Sequence, residues 1–164
     1  HGVNIEKNFL PKKNLNKDLK FVFFSRIHKS KNLQILVSLW EQSLYLKKFK
    51  LDIFGEIQDL NYFTKINEII KKNININYLG PIKKKIQSKL SKYDVFILPS
   101  KSENFGLVIY EALSAGLFLI LNKNLKKKDL ALNLFSKNIE FNSKTLEKNI
   151  FSIFKIKKKI KSLI

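Results

Sequence analysis

At 164 residues and 45% apolar content, the chain is long enough for one domain with a real core, which excludes general disorder. It has no cysteine, so disulfides and thiolate metal sites are excluded, and His1 and His28 are too separated to suggest a zinc centre. The net charge of +19 comes from lysines spread along the whole chain, so it reads as the coding bias of an AT-rich gene ahead of a nucleic-acid surface.

One detail survives that bias. Of the 32 basic residues, 31 are lysine and one, Arg26, is arginine. A guanidinium offers a planar fork that grips phosphate oxygens bidentately, which lysine cannot copy. No apolar run reaches the roughly 18 residues of a membrane span, and no signal-peptide pattern opens the chain. There is no methionine, even at position 1, so further sequence is expected before His1.

Residues 1–20 read as a linker, with a polar, proline-containing stretch from Asn8 to Lys20. Phe21–Ser25 is an apolar run of strand type, and Asn32–Leu46 carries Leu33, Leu36, Val37, Trp40 and Leu44 at helical spacing. Leu51–Gly55 is a second strand, and Leu60–Ile70 a second helix with Phe63, Ile66, Ile69 and Ile70 on one face. Ile74–Leu79 alternates and stops at Gly80-Pro81. Ile86–Leu90 reads as a short helix, Val95–Leu98 as a strand closed by Pro99-Ser100, and Gly106–Ala115 as a helix ended by Gly116. Leu117–Leu121 is a fifth strand, Leu125–Phe135 a further helix, Asn138–Phe141 a weak sixth strand, and Thr145–Ile164 a lysine-rich helix.

Strands alternating with helices, each strand a near-continuous apolar run, predict a doubly wound, parallel, Rossmann-like α/β sheet. In such sheets ligands bind beyond the carboxyl ends of the strands. Arg26, His28, Lys29 and Lys31 follow the first strand; Pro99 to Gly106 follows the fourth and runs into a helix. A helix start offers free N–H groups and partial positive charge, and Gly106 allows close approach of an anion. Glu103 lies in the loop, and Glu111 lies five residues into the helix, about 7–8 Å further along its axis. Carboxylates so placed suit hydroxyls on either side of a diphosphate, the layout of a nucleotide sugar. Each could equally be an ordinary loop or helix charge; Lys29 and Lys31 read individually as solvent lysines, and His28 as a loop or packing residue.

The set Leu98-Pro99-Ser100, Glu103-Asn104-Phe105-Gly106, Glu111-Ala112-Leu113 and Gly116 resembles the signature of family 4 glycosyltransferases, retaining enzymes of the GT-B fold. Phe23 to Asn32 resembles that family's first-strand motif, and Phe54-Gly55, Tyr78-Leu79-Gly80 and His1 to Asn4 also match; the likeness covers roughly residues 1–122. The resemblance implies that Arg26 and Lys31 hold the donor diphosphate and, with Glu103, form the catalytic set. It implies that Glu111 binds ribose hydroxyls, that Gly80 to Ile82 border the nucleobase, and that Asn104, Phe105, Gly106, Leu107 and Val108 meet phosphate and sugar. The family's pattern often has glycine where Ser25 and Asn32 stand, a small apolar and proline stretch where Leu117-Phe118-Leu119 stand, and a further motif that Asn122 to Asn142 lack.

The expected function follows from that likeness: transfer of a sugar from a nucleotide-diphosphate sugar to a glycan or lipid-linked acceptor, in envelope polysaccharide or lipopolysaccharide synthesis. The alternatives are a non-catalytic nucleotide-sugar-binding remnant and a basic nucleic-acid module. The expected organisation is a donor-binding domain over 21–142, a basic helical tail over 143–164, and an N-terminal GT-B acceptor domain outside this chain. No metal or other cofactor is expected, and no nucleic-acid partner. The location expected is cytoplasmic. The tail's Ile153, Ile156, Ile160 and Leu163 share a helix face among lysines, which reads first as a helix packing on the absent domain and second as a peripheral contact at the inner membrane face.

Overall fold

The computed structural model describes residues 19–102, 106–125 and 135–161, with main chain alone from 157. Six strands, β1 (Phe21–Phe24), β2 (Leu51–Phe54), β3 (Ile76–Tyr78), β4 (Val95–Leu98), β5 (Phe118–Asn122) and β6 (Ser136–Ile139), form one sheet in the order β3-β2-β1-β4-β5-β6. Every pairing is parallel, with Phe21 opposite Leu51 on one side and Val95 on the other. The doubly wound parallel sheet read from the sequence is therefore the fold. The central strands β1 and β4 are buried at every position, because helices cover both faces.

Among the described residues, five helices connect and flank the strands: α1 (Leu33–Gln42), α2 (Leu60–Lys72), α3 (Ile86–Leu90), α4 (Leu107–Ser114) and α5 (Ser143–Lys161). Alternation along β2 and β3 separates the two faces. Ile53 and Tyr78 point toward α2, where Phe63 meets the Tyr78 ring at 4.7 Å. Asp52, Phe54 and Asn77 point the other way. There the Tyr93 hydroxyl, just after α3, donates to Asp52 at 2.7 Å, and Asn77 donates to the other carboxylate oxygen at 2.9 Å. Burial, and then the Asp52 carboxylate, push the Tyr93 phenol well above its ordinary range. α1 lies with α2, since Tyr62 accepts from the Gln34 amide at 2.9 Å, and α3 lies with α4, since Gln87 donates to the Ser114 carbonyl at 2.9 Å.

Under α1 the core is aromatic. Trp40 is fully buried, stacks edge-on to Phe21 at 5.2 Å, and donates its indole N–H to the Phe49 carbonyl at 3.0 Å. α5 is fixed by Leu146, Ile150 and Ile153, all buried, and by Ser43, whose hydroxyl donates to Glu147 at 2.6 Å. Phe151, Phe154 and Ile156 remain exposed on the same helix, with the Lys155 ammonium over the Phe151 ring at 4.6 Å. No described helix is long and apolar enough to cross a membrane.

Some expected boundaries move for physical reasons. The first helix ends at Gln42, four residues early, because Ser43 turns its hydroxyl to cap a 3-10 turn over Leu46–Lys48, accepting from the Leu46 amide at 3.0 Å. β6 covers Ser136–Ile139, not Asn138–Phe141, and α5 starts earlier than Thr145, capped by the Asn142 side chain on the Thr145 amide at 2.9 Å. The helix expected over Leu125–Phe135 lies almost wholly outside the described residues, as does the linker up to residue 18.

Candidate functional site

From β1 the sheet grows outward in opposite senses, to β2 and β3 on one side and to β4, β5 and β6 on the other. The crossovers diverge onto opposite faces there, leaving a crevice beyond the carboxyl ends of β1 and β4. Two segments border it: Ser25 to Asn32 after β1, and Pro99 to Ser102 after β4.

The first loop is zipped to β2 beyond the end of the regular pairing. The Ser25 amide donates to the Phe54 carbonyl at 3.1 Å, Ile27 donates to Glu56 at 2.8 Å, and the Ile27 carbonyl accepts from Gln58 and Asp59. Arg26 sits between these anchors, so its main chain is held while its side chain stands in solvent, with Nη1 donating to Gln58 Oε1 at 3.1 Å. Gly55 makes the zipper possible. A Cβ there would lie 1.8 Å from the Ser25 carbonyl oxygen, closer than any side chain can sit.

The loop continues through a 3-10 turn over Lys29–Lys31, capped by the His28 ring, which accepts from the Ser30 amide at 3.2 Å. His28 thus shapes the loop. The reading of both lysines as solvent groups fails for one of them: Lys29 is exposed, but Lys31 is only 7% exposed. A cation this buried requires compensating negative charge or acceptors, which a surface lysine does not. Asn32 follows at φ 55, in the left-handed region. Glycine is the usual solution there, and asparagine the best-tolerated substitute, which accounts for this departure from the family pattern.

After β4, α4 begins one residue later than expected. Gly106 is its N-cap at φ 58, outside the helix, and its carbonyl accepts from Ile109 at 2.8 Å and Tyr110 at 3.3 Å. That leaves the Leu107 and Val108 amides without a carbonyl partner inside the helix. Leu107 is exposed and Val108 half-buried. Glu111 is half-buried on the next turn, and desolvation raises its carboxyl pKa above the ordinary value. Gly80, at φ 74, accepts from the Gly55 amide at 3.1 Å, and the Ile82 side chain is packed into the core, so that loop can offer a ligand its main chain. Glu103, Asn104 and Phe105 lie outside the described residues. No group of three or more His, Asp or Glu side chains suited to a metal occurs among the described residues. Sequence reasoning missed Gln58 and Asn122 and read Ser100 only as part of a motif, yet all three hold the loops in place; polar side chains at or within four residues of a strand end are their sequence signal.

The glycosyl transferases group 1 model matches residues 5–163. The chain belongs to that family. Over 98 residues it is 33% identical to the GtfA subunit of a UDP-N-acetylglucosamine–peptide N-acetylglucosaminyltransferase from Streptococcus agalactiae, covering 58% of this chain and 19% of that protein. HepE from Anabaena, solved with UDP and glucose, superposes with a TM-score of 0.65 at 20% identity, covering 85% of this chain and 39% of HepE. The C-terminal domain of the group 1 glycosyl transferase LpcC from Francisella tularensis gives 0.61 at 21% identity, covering 81% and 84%. This group 1 domain therefore spans well under half of the larger relatives and most of an isolated C-terminal domain.

Burial of Glu111 sets a measurable linkage. A carboxyl whose folded-state pKa is raised binds its proton more tightly in the native state, so stability falls as pH rises through that pKa. Glu111→Gln removes the charge at similar size. Thermal melts should show the variant at least as stable as the parent at pH 7, with its advantage shrinking toward acid pH. If Glu111 accepts ribose hydroxyls, nucleoside diphosphate affinity should drop about three- to tenfold in the same variant. A variant less stable at pH 7 than at pH 4, relative to the parent, would contradict the desolvation account.

Proposed function

We propose that the chain is the donor-binding half of a retaining sugar transferase that moves a hexosyl group from a nucleoside-diphosphate sugar to a glycan or lipid-linked acceptor. The observation that carries this is the juxtaposition at the switch point: a guanidinium on an immobilised main chain at the end of β1, and the amino end of α4 beyond the end of β4. Full charge from Arg26 and Lys31 and the partial charge of the Leu107 and Val108 amides suit the oxygens of one diphosphate. The carboxyl of Glu111, partly desolvated, suits ribose hydroxyls one helical turn further on.

In the transfer, an acceptor hydroxyl oxygen bonds to the anomeric carbon, the bond from that carbon to the diphosphate oxygen breaks, and the diphosphate leaves with the electron pair. The acceptor proton is lost to that leaving oxygen or to solvent. The protein's share is to stabilise charge that grows on the diphosphate, from donors already in place. The GtfA relative acts with UDP-N-acetylglucosamine and HepE is solved with UDP and glucose, so UDP-sugars are the first donors to try.

The test is titration calorimetry of the chain with UDP-, GDP- and ADP-sugars. Saturable binding of one of them in the micromolar to low-millimolar range, surviving moderate salt, is expected; no saturable binding to any would overturn the proposal. Retention is then read from the anomeric configuration of the product formed by the longer protein.

A further inference from the structure

Beneath the crevice, the ends of β1, β4 and β5 converge on a single peptide unit, Pro99-Ser100. Ser100 is 0% exposed. Its hydroxyl lies 2.8 Å from the Ser102 carbonyl, in its own loop, and 3.2 Å from the Ser30 carbonyl, 70 residues away in sequence. The Pro99 carbonyl accepts from the Asn122 side-chain amide at 3.3 Å and faces the Asn32 amide at 3.5 Å. A carbonyl oxygen has two lone pairs and can take both. Asn122 is itself fixed at the end of β5, because its side-chain oxygen accepts from the Asn124 main chain at 3.0 Å.

These contacts differ in what they join. A buried serine serving only its own turn needs the Ser102 carbonyl alone. The second acceptor, Ser30, belongs to the turn that ends at Lys31. Likewise Asn32 is the residue immediately after Lys31, and its left-handed backbone aims its amide at Pro99. The glycine found at that position in the family pattern could not make this contact.

We propose that Ser100 is a positioning residue for the donor diphosphate, holding the turn that carries Lys31 in register with the loop that leads to the amino end of α4, with Asn32 and Asn122 securing the same joint through the Pro99 carbonyl. The proposal rests on the donor-binding reading above. Two anion-binding elements that approach one diphosphate from different strands must keep a fixed spacing, and displacement of one by an ångström costs the ligand a charged hydrogen bond. The hydroxyl has one hydrogen and two carbonyls in reach, so the joint is directional: the proton given to Ser30 ties the loops together, and the proton given to Ser102 tightens the β4 loop alone.

The experiment compares the wild-type chain with Ser100→Ala and Ser100→Thr, all checked for native circular dichroism, using UDP and GDP as probes in calorimetry. Ser100→Ala should bind about three- to tenfold more weakly, the range expected for one net hydrogen bond, and Ser100→Thr, which keeps the hydroxyl, should recover most of the loss. On a Lys31→Ala background the Ser100→Ala effect should shrink to within about twofold, because a residue acting through another couples with it. Wild-type affinity in Ser100→Ala, or an undiminished effect on the Lys31→Ala background, would overturn the proposal.

A ligand-free readout separates this from the donor-binding reading. The Lys31 and Asn32 amides bond to the His28 and Lys29 carbonyls at 2.9 and 3.1 Å, and their hydrogen exchange should quicken about tenfold in Ser100→Ala. Unchanged exchange defeats the positioning role whatever the ligand does. Faster exchange in a chain that binds no UDP-, GDP- or ADP-sugar leaves the joint standing and defeats donor binding.

Discussion

Gly55→Ala should cost the fold about 3 kcal/mol or more, at the upper end of what forced overpacking does, and lower the melting temperature by about 6–12 °C. The cause is space, because Gly55 is not among the glycines at positive φ. An added Cβ would sit 1.8 Å from the Ser25 carbonyl oxygen and 2.9 Å from its carbon. Both are main-chain atoms of a loop held by its own hydrogen bonds, so neither can swing aside as a flexible side chain would. Relief requires β1 and β2 to part at their carboxyl ends, which breaks the bonds from Ser25 to Phe54 and from Ile27 to Glu56. Gly80→Ala is the contrast. Gly80 has φ 74 but nothing within 4 Å of the added atom, so it should lose only about 1–2 kcal/mol, from backbone strain. Melting curves of the two variants decide between space and conformation: a Gly55 variant as stable as the Gly80 variant would mean that the strands part easily.

That close approach was only partly legible in the sequence. Phe54-Gly55 marks the end of a strand, yet nothing local says that the strand beside it fills the space a side chain would need. The buried strands were the most readable elements, because a strand covered on both faces must be apolar throughout, and β4 occupies Val95–Leu98 as read. Edge and boundary positions were less readable. Ile74 and Leu79 fit an alternating strand but are 92% and 51% exposed, because they flank a short strand, Ile76–Tyr78, at the edge of the sheet. Leu44 matched the apolar stripe of the first helix and is 82% exposed, because the helix had already ended at Gln42. Periodicity counts apolar residues without knowing where a serine will turn the chain.

At the site, the sequence pointed to Arg26 through its rarity among lysines and to Gly106 through its place before a helix. It gave no sign that Lys31 is buried, since its composition is that of thirty other lysines. It also gave no sign that Asn32, standing where glycine is usual, keeps the left-handed backbone and adds a side-chain contact. Joints such as Ser100 to Ser30 depend on pairing across 70 residues, which no local pattern encodes.

Arg26→Ala should weaken nucleoside diphosphate binding about 10- to 100-fold, the worth of hydrogen bonds to a charged group, and leave the melting temperature nearly unchanged, since an exposed side chain contributes within about 0.5 kcal/mol. The size of the effect follows from preorganisation. The Arg26 main chain is held on both sides by Ser25 and Ile27, so little is spent on ordering it when a ligand arrives. Arg26→Lys keeps the charge but loses the planar fork, and should recover only a minor part of the affinity. Gln58→Ala removes the exposed partner of Nη1 and should change binding by no more than about threefold, since that bond steers the side chain without touching the ligand. Salt separates this from the background. A chain of net charge +19 attracts any polyanion, but contacts through scattered lysines weaken together as counterions compete. Affinity that persists at raised ionic strength and falls on Arg26→Ala belongs to one built site. Affinity that disappears with salt and ignores Arg26 is generic charge, and with that result the crevice between β1 and β4 loses its role.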